Sequence, residues 1–258
     1  PNGEAQEISN HLLKHNTLID LAADFRLNKS SDYLKWYKKK HKSVKNIKNS
    51  IYALPEINGK KIKDYKILSC PGCYPTSILL PLIPLIKKKL IKTQNIIIDS
   101  KSGYSGAGRN VHKIYKDKNL YESLSAYGVG FHRHNSEIKQ ELRNYTNSNV
   151  SFTFTPHLSP MFRGILSTMY VDTKKSETSL YKYLSRFYKN HKFIRILKPN
   201  SLLSTNDVIN TNNCHISICR GKNKNKIIIL SAIDNLIKGG GGQACLLYTS
   251  PSPRDNRV

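Results

Sequence analysis

Hydrophobic positions along this chain change period repeatedly, and the changes predict short buried strands alternating with helices. Ala5 to Lys14 carries apolar residues at helical spacing (Ala5, Ile8, Leu12), and Thr17 to Leu21 reads as a short buried strand. Ala23-Asp24-Phe25-Arg26 follows as a loop. Ser31 to His41 gathers Tyr33, Leu34, Trp36 and Tyr37 in a turn and a half, the pattern of an amphipathic surface helix. Ser50 to Asn58, with Pro55 inside, reads as loop, and Ile62 to Ser69 returns to the sheet through the apolar run Lys66 to Leu68.

Ser77 to Leu90 is apolar at helical spacing, and Asn95 to Ser100 predicts an internal strand. Asn135-Ser136-Glu137 has the residue types of a helix start leading into Ile138 to Arg143. Val150 to Thr155 alternates as a strand, Pro156 to Pro160 breaks it, and Gly164 to Val171 resumes. Glu177 to Tyr188 predicts a helix, while Phe193 to Leu197, Cys214 to Arg220 and Lys226 to Leu230 predict strands. This mixture predicts a second, α+β domain whose sheet faces another subunit.

The chemistry concentrates where a strand meets a helix, at Ser69-Cys70-Pro71-Gly72-Cys73-Tyr74-Pro75-Thr76. Pro75 suits the first turn of a helix, and the unpaired amides there carry partial positive charge. A thiol in that position ionises more easily, which makes Cys73 a candidate nucleophile. After the strand ending at Ser100, Lys101 to Arg109 holds three glycines in six residues (Gly103, Gly106, Gly108), so backbone can approach a ligand closely. His132 and His134 precede the helix start at Asn135. Two residues apart, they reach one site together only if the chain is extended there. Glu137 is placed to orient one of the rings. Arg163 is a candidate partner for a carboxylate or phosphate, because a guanidinium binds two oxygens side by side; Arg26 and Arg109 are weaker candidates for the same task.

Length and charge then bound the class. The 258 residues suffice for one large domain or two smaller ones. No stretch of about 18 uncharged apolar residues occurs, and the opening PNGEAQEISN lacks the features of a secretory signal, so a soluble cytoplasmic protein is expected. Five cysteines form an odd count with no small disulfide frame, which favours reduced thiols. The net charge of +25 raises a nucleic-acid partner as an alternative. The lysines, however, are spread over the whole chain together with many Asn and Ile, as a compositional bias spreads them. A positive field also attracts an anionic substrate or a phosphorylated cofactor.

The words PGCYPTS, KSGYSGAGR, YGVGFHRHNSEI and FTPHLSPMFRGIL, in this order, resemble the N-acetyl-gamma-glutamyl-phosphate reductase family, and the resemblance extends from Pro1 to about Ala244. It implies an α/β fold: a truncated Rossmann-type dinucleotide-binding domain followed by an α+β catalytic and dimerisation domain. On that basis residues 1–73 are the C-terminal part of the cofactor domain, 74–230 the catalytic domain, and 231–244 a helix returning to the cofactor domain. The first strand, glycine-rich turn and helix of the cofactor domain are expected to be absent, and no GxGxxG stands near the start. Residues 245–258 include CLLYTSPSPRD, which departs from the family pattern and resembles the translation of a sequencing-library transposase adapter. That tail is set aside from the fold.

The resemblance also implies an activity: NADPH-dependent reduction of N-acetyl-glutamyl phosphate to its semialdehyde in arginine biosynthesis, through a thioester on Cys73. It assigns acid/base work to His132 first and His134 second, and it places His157, Arg163 and Arg109 near the substrate. Ser105, Gly106 and Asn235 become contacts of the NADP nicotinamide end, and a homodimer or homotetramer is expected. Neighbouring readings are reduction of an aminoadipyl or aspartyl phosphate by the same chemistry. Two others use the cysteines differently: thiol-disulfide exchange at Cys70-Pro71-Gly72-Cys73, or a zinc site from Cys70, Cys73, Cys214 and Cys219. No metal is expected in the reductase reading.

Overall fold

The computed structural model describes residues 2–106, 122–223 and 225–249. The chain divides into two units, one of Pro1–Gly72 with Gly240–Val258 and the other of Cys73–Gly239. Among the described residues no helix is long and apolar enough to cross a membrane.

The first unit is built on a parallel sheet of β1 (Leu18–Asp20), β2 (Ser50–Tyr52) and β3 (Ile67–Ser69), with β3 in the middle. All three positions of β3 are buried, as expected of a central parallel strand. Its helices are α1 (Glu4–Leu12), α2 (Ser30–Tyr37), α3 (Pro55–Ile62) and α7 (Gly242–Thr249). Ser50 to Asn58, expected as loop, is instead β2 and the first half of α3. Pro55 opens that helix, where its missing N–H loses no bond, so the residue that suggested a loop is a helix start. Asn58 ties the turn down by accepting from the Leu54 N–H at 3.0 Å and donating to the Tyr52 carbonyl at 2.7 Å.

Two boundaries also differ from expectation. Residues 231–239 belong to the second unit rather than to a helix returning to the first: Ser231 to Ile233 end a strand, Asp234 to Leu236 form the turn after it, and a short π-helix, Ile237–Gly241, follows. Residues 245–249, expected to stand apart from the fold, complete α7 and bury Leu247 against Ala53, Ile62, Leu68 and Cys70. Residues 250–258 lie outside the described residues.

The loop Ala23 to Arg26 is a buried polar hub. Asp24 stands in for a helix cap, receiving the Gly3 N–H at 2.7 Å and the Tyr33 hydroxyl at 3.1 Å. Arg26 donates through Nε to the Cys70 carbonyl at 2.7 Å and is 8 % exposed. It holds the exit of β3 in place, which is a different task from the ligand contact its charge suggested.

The second unit is a seven-stranded mixed sheet, in the order β5-β6-β4-β7-β10-β9-β8. The strands are β4 (Ile96–Gly103), β5 (Ser125–Ala126), β6 (Phe152–Ser159), β7 (Ile165–Asp172), β8 (Ile194–Ile196), β9 (Cys214–Arg220) and β10 (Lys226–Ile233). The helices α4 (Cys73–Lys87), α5 (His134–Arg143) and α6 (Glu177–Phe187) accompany it. Pro156 to Ser159, expected to break the strand, continue β6 in parallel register with β4. The Pro156 carbonyl accepts from the Tyr127 N–H at 3.1 Å, on the side of β5. The lost donor therefore faces the end of a two-residue edge strand, where proline is tolerated.

One sheet face carries α4. Ser167 of β7 hydrogen-bonds both Ser77 of α4 at 2.7 Å and Ser100 of β4 at 2.8 Å, and the Phe154 ring of β6 packs edge-on against Tyr74. By the alternation of strand side chains, Ile97, Asp99, Lys101, Thr155, His157 and Tyr170 point to the other face. Ile97 and Tyr170, paired across β4 and β7, remain exposed there.

Residues Tyr74 to Ile86 of α4 are all buried although Pro81 and Pro84 lie inside the helix. Pro84 removes the donor that would satisfy the Leu80 carbonyl, and the Tyr188 hydroxyl supplies one at 2.5 Å. Tyr188→Phe is therefore expected to lower the unfolding free energy by about 1–3 kcal/mol, the cost of leaving a buried carbonyl without a donor. Urea titration of the variant against the parent checks this; equal midpoints would show that the carbonyl finds another partner.

Candidate active site

Cys73 is the first residue of α4, so it stands at the positive end of that helix's dipole. The thiol is reduced and partly exposed, whereas Cys70 is buried. Gly239 packs directly on it: a methyl group at Gly239 would lie 2.7 Å from Cys73 Cβ and 3.0 Å from its Cα. Only hydrogen fits there, so the segment after β10 is pressed against the backbone of Cys73.

Around the next residue, Tyr74, the aromatic groups of the site collect. Its ring lies edge-on to His132 (centroids 5.7 Å) and to His134 (5.9 Å), and Tyr127 lies 5.4 Å from His132. The Tyr127 hydroxyl donates to Tyr74 Oη at 3.0 Å, and Tyr74 donates to the His157 carbonyl at 3.2 Å. Burial pushes the Tyr127 hydroxyl up to about 12, with the charge of Cys73 adding to the rise. Burial raises Tyr74 further still, again with Tyr127 and Cys73 contributing. Both tyrosines therefore remain protonated, and both lie within electrostatic reach of the sulfur.

The two imidazoles come together, with centroids 4.7 Å apart, although the chain between them is not extended. Arg133 is helical (φ −54, ψ −31), and His132 sits one turn before α5, its N–H bonded to the Gly128 carbonyl at 2.7 Å. The expectation of an extended segment fails because the two rings meet around a helix start instead of projecting from one side of a strand. Gly128 allows this: its φ of +57 suits glycine, and a methyl group there would lie 3.1 Å from His132 Cβ. Glu137, fully buried, has Oε1 3.7 Å from His134 Nε2, so the orienting carboxylate belongs to His134.

The other expected site residues are distributed differently. Asn235 Nδ2 donates to Ser105 Oγ at 2.9 Å while its Oδ1 accepts the Gly164 N–H at 2.7 Å. Gly106 adjoins the pair; a methyl group there would lie 3.5 Å from Asn235 Nδ2. Arg163 is held by Asp234, with Nε 3.5 Å from Oδ2, and by a hydrogen bond to Asn210. The side chain of His157 is not brought to the Cys73 group. It points to the sheet face away from α4, with Nδ1 3.3 Å from Asp99 Oδ1, and only its carbonyl reaches Tyr74. Arg109 lies outside the described residues. Among the described residues no three His, Cys, Asp or Glu are grouped to hold a metal ion. Sequence reasoning does not single out Tyr127 or Gly239. Tyr127 stands inside the word YGVGFHRH, but nothing in a glycine's letter announces what it presses against.

This arrangement can be compared with known proteins. Residues 73–235 match the family described as semialdehyde dehydrogenase, dimerisation domain, beginning at the nucleophile candidate itself. An N-acetyl-gamma-glutamyl-phosphate reductase from Clostridium botulinum is 45% identical over 247 residues, which is 95% of this chain and 72% of that protein. One from Thermoanaerobacter pseudethanolicus is 45% identical over 249 residues, covering 95% and 71%. The chain belongs to the N-acetyl-gamma-glutamyl-phosphate reductase family. A relative from Arabidopsis thaliana, 44% identical over 250 residues (95% of this chain, 61% of that protein), is named as a probable chloroplastic N-acetyl-gamma-glutamyl-phosphate reductase. Among solved structures, aspartate semialdehyde dehydrogenase II complexed with ASA from Vibrio cholerae superposes with a TM-score of 0.71 at 13% identity, over 96% of this chain and 76% of that one. That likeness establishes the α/β fold. An oxidoreductase of this reductase family replaces the thiol-exchange, zinc and nucleic-acid alternatives.

Proposed function

We propose that this protein reduces N-acetyl-glutamyl phosphate to N-acetyl-glutamate semialdehyde with release of phosphate, the reductive step of arginine biosynthesis, using NADPH. The observation that carries the reading is Cys73 at the start of α4 with two imidazoles gathered about the adjoining Tyr74. In this reading the Cys73 thiolate attacks the acyl carbon. A C–S bond forms, the C–O bond to phosphate breaks, and the leaving phosphate takes up one proton. The nicotinamide cofactor, when bound, supplies the hydride that reduces the thioester. The resulting thiohemiacetal oxyanion re-forms its carbonyl, breaking the C–S bond, and Cys73 leaves as thiolate with the aldehyde released.

The residues present fit a carboxamide at the nicotinamide end. Asn235 is 4% exposed and is locked by Gly164 and Ser105, leaving a second Nδ2 hydrogen and the Ser105 hydroxyl hydrogen to donate. Gly106 keeps that polar pair open. For the substrate, Arg163 offers the guanidinium, oriented by Asp234 and Asn210 and a quarter exposed at its side chain. For assembly, Ile97 and Tyr170, exposed on the sheet face opposite α4, support pairing of two copies through that face.

The test is made in the reverse direction with the full-length enzyme. N-acetyl-glutamate semialdehyde is expected to reduce NADP only when phosphate is present, and faster than the aminoadipyl or aspartyl homologue. A preference for aspartate semialdehyde, or turnover independent of phosphate, would refute the assignment.

A further inference from the structure

The two histidines gathered about Tyr74 differ in what their ring nitrogens can do, and the difference is written in main-chain geometry. The backbone N–H of His134 lies 3.2 Å from His132 Nδ1. A backbone N–H can only donate, so Nδ1 of His132 must accept. The neutral ring then carries its hydrogen on Nε2, where it is a donor and not a base. His134 has the opposite provision, because its Nε2 faces the buried carboxylate of Glu137. A carboxylate in that position orients the ring and gives its Nε2 hydrogen an acceptor, so this imidazole is the one placed to carry a proton.

The reaction proposed above has matching needs. It consumes one proton, taken by the departing phosphate. It also builds negative charge on the acyl oxygen twice, when thiolate adds and when the thioester is reduced, and that oxygen needs a donor but no proton. We propose that His132 is the neutral hydrogen-bond donor to this oxyanion through Nε2–H, and that His134, poised by Glu137, carries the proton. This rests on the reductase reading and reverses the order of roles expected from the sequence. Burial, with Arg133 adding to it, lowers His132 to about 4, in keeping with a ring that stays neutral during turnover. A neutral imidazole can serve as an electrophilic donor in this way. The titratable groups packed about the pair are Tyr74 of α4, Tyr127 beside β5, Arg133 between the two histidines in sequence, and Glu137 along α5.

Two measurements test the division. In ¹⁵N spectra of the histidine rings, His132 is expected as the Nε2–H tautomer at pH 7, with no protonation above about pH 5. In kinetics of acyl-phosphate reduction, His132→Ala is expected to lose on the order of 100-fold in kcat with its pH profile unchanged, and His132→Gln, whose amide nitrogen can reach the Nε2 position, to recover most of that loss. His134→Gln is expected to abolish the basic limb of the profile instead. A His132 ring that carries hydrogen on Nδ1 or titrates near neutrality, or a His132 variant that removes the limb, would overturn the proposal. The parent enzyme's phosphate-dependent turnover would still stand in that event, so the two failures are distinguishable.

Discussion

Cys73→Ser is expected to reduce turnover by on the order of 10³-fold or more while leaving the fold intact, because a serine hydroxyl at the start of α4 remains protonated where a thiol can ionise. The substitution removes no packing: it exchanges one small side chain for another at a partly exposed position. The loss should therefore be confined to kcat, with melting temperature within about a degree or two of the parent, the small effect expected at a site away from the core. Mass spectrometry supplies the decisive comparison. Incubated with acyl phosphate in the absence of reductant, the parent enzyme should gain one acyl group on the peptide containing Cys73, and the serine variant none. Turnover close to that of the parent would remove the covalent scheme.

Gly239→Ala should be nearly as damaging, for a reason that involves no chemistry of its own. The added methyl group would lie 2.7 Å from Cys73 Cβ, closer than side-chain carbons approach in folded proteins, and the nearest alternative contact is Ile233 Cδ1 at 3.3 Å. Either the segment Asp234 to Gly239 or the start of α4 must move. The turn is held by the Gly239 N–H on the Asp234 carbonyl at 2.9 Å, and by Asp234 itself, which caps Leu236 and Ile237 at 2.8 and 2.9 Å. The strain is thus shared with Cys73. A shift of the sulfur by roughly 1 Å would cost on the order of 100-fold in kcat. The measurement is kcat together with the rate of thiol alkylation by iodoacetamide. Both should change together, and the denaturant midpoint should fall by an amount equivalent to about 1–3 kcal/mol; an alanine variant with parental kcat would mean that the turn yields and the sulfur does not depend on it.

Much of the site is legible in the amino-acid sequence. Cys73 at a strand-to-helix turn follows from an apolar run, a proline suited to a helix start, and a second apolar run at helical spacing. The order of strands and helices follows from period changes, since alternation and 3.6-residue spacing are local properties of the chain. Two of the errors fall where a proline is read by its local meaning alone. Pro55 looks like a loop and opens a helix. Pro156 looks like a break and continues a strand, because the side of it that lacks a donor meets the end of a short edge strand. Pro84 sits in mid-helix because Tyr188, distant in sequence, satisfies the carbonyl it leaves exposed.

By itself, then, the sequence determined the fold class, the family, the place of Cys73 at a strand-to-helix turn and the presence of two histidines beside a helix start, because each depends on residue types at short spacing. Tertiary structure decided which groups share a space. It turned His157 toward the far face of the sheet, set Glu137 against His134, pressed Gly239 onto Cys73 and fixed the tautomer of His132 through a neighbouring amide. Those are relations between atoms brought close by packing and main-chain geometry, and spacing along a chain carries no record of them.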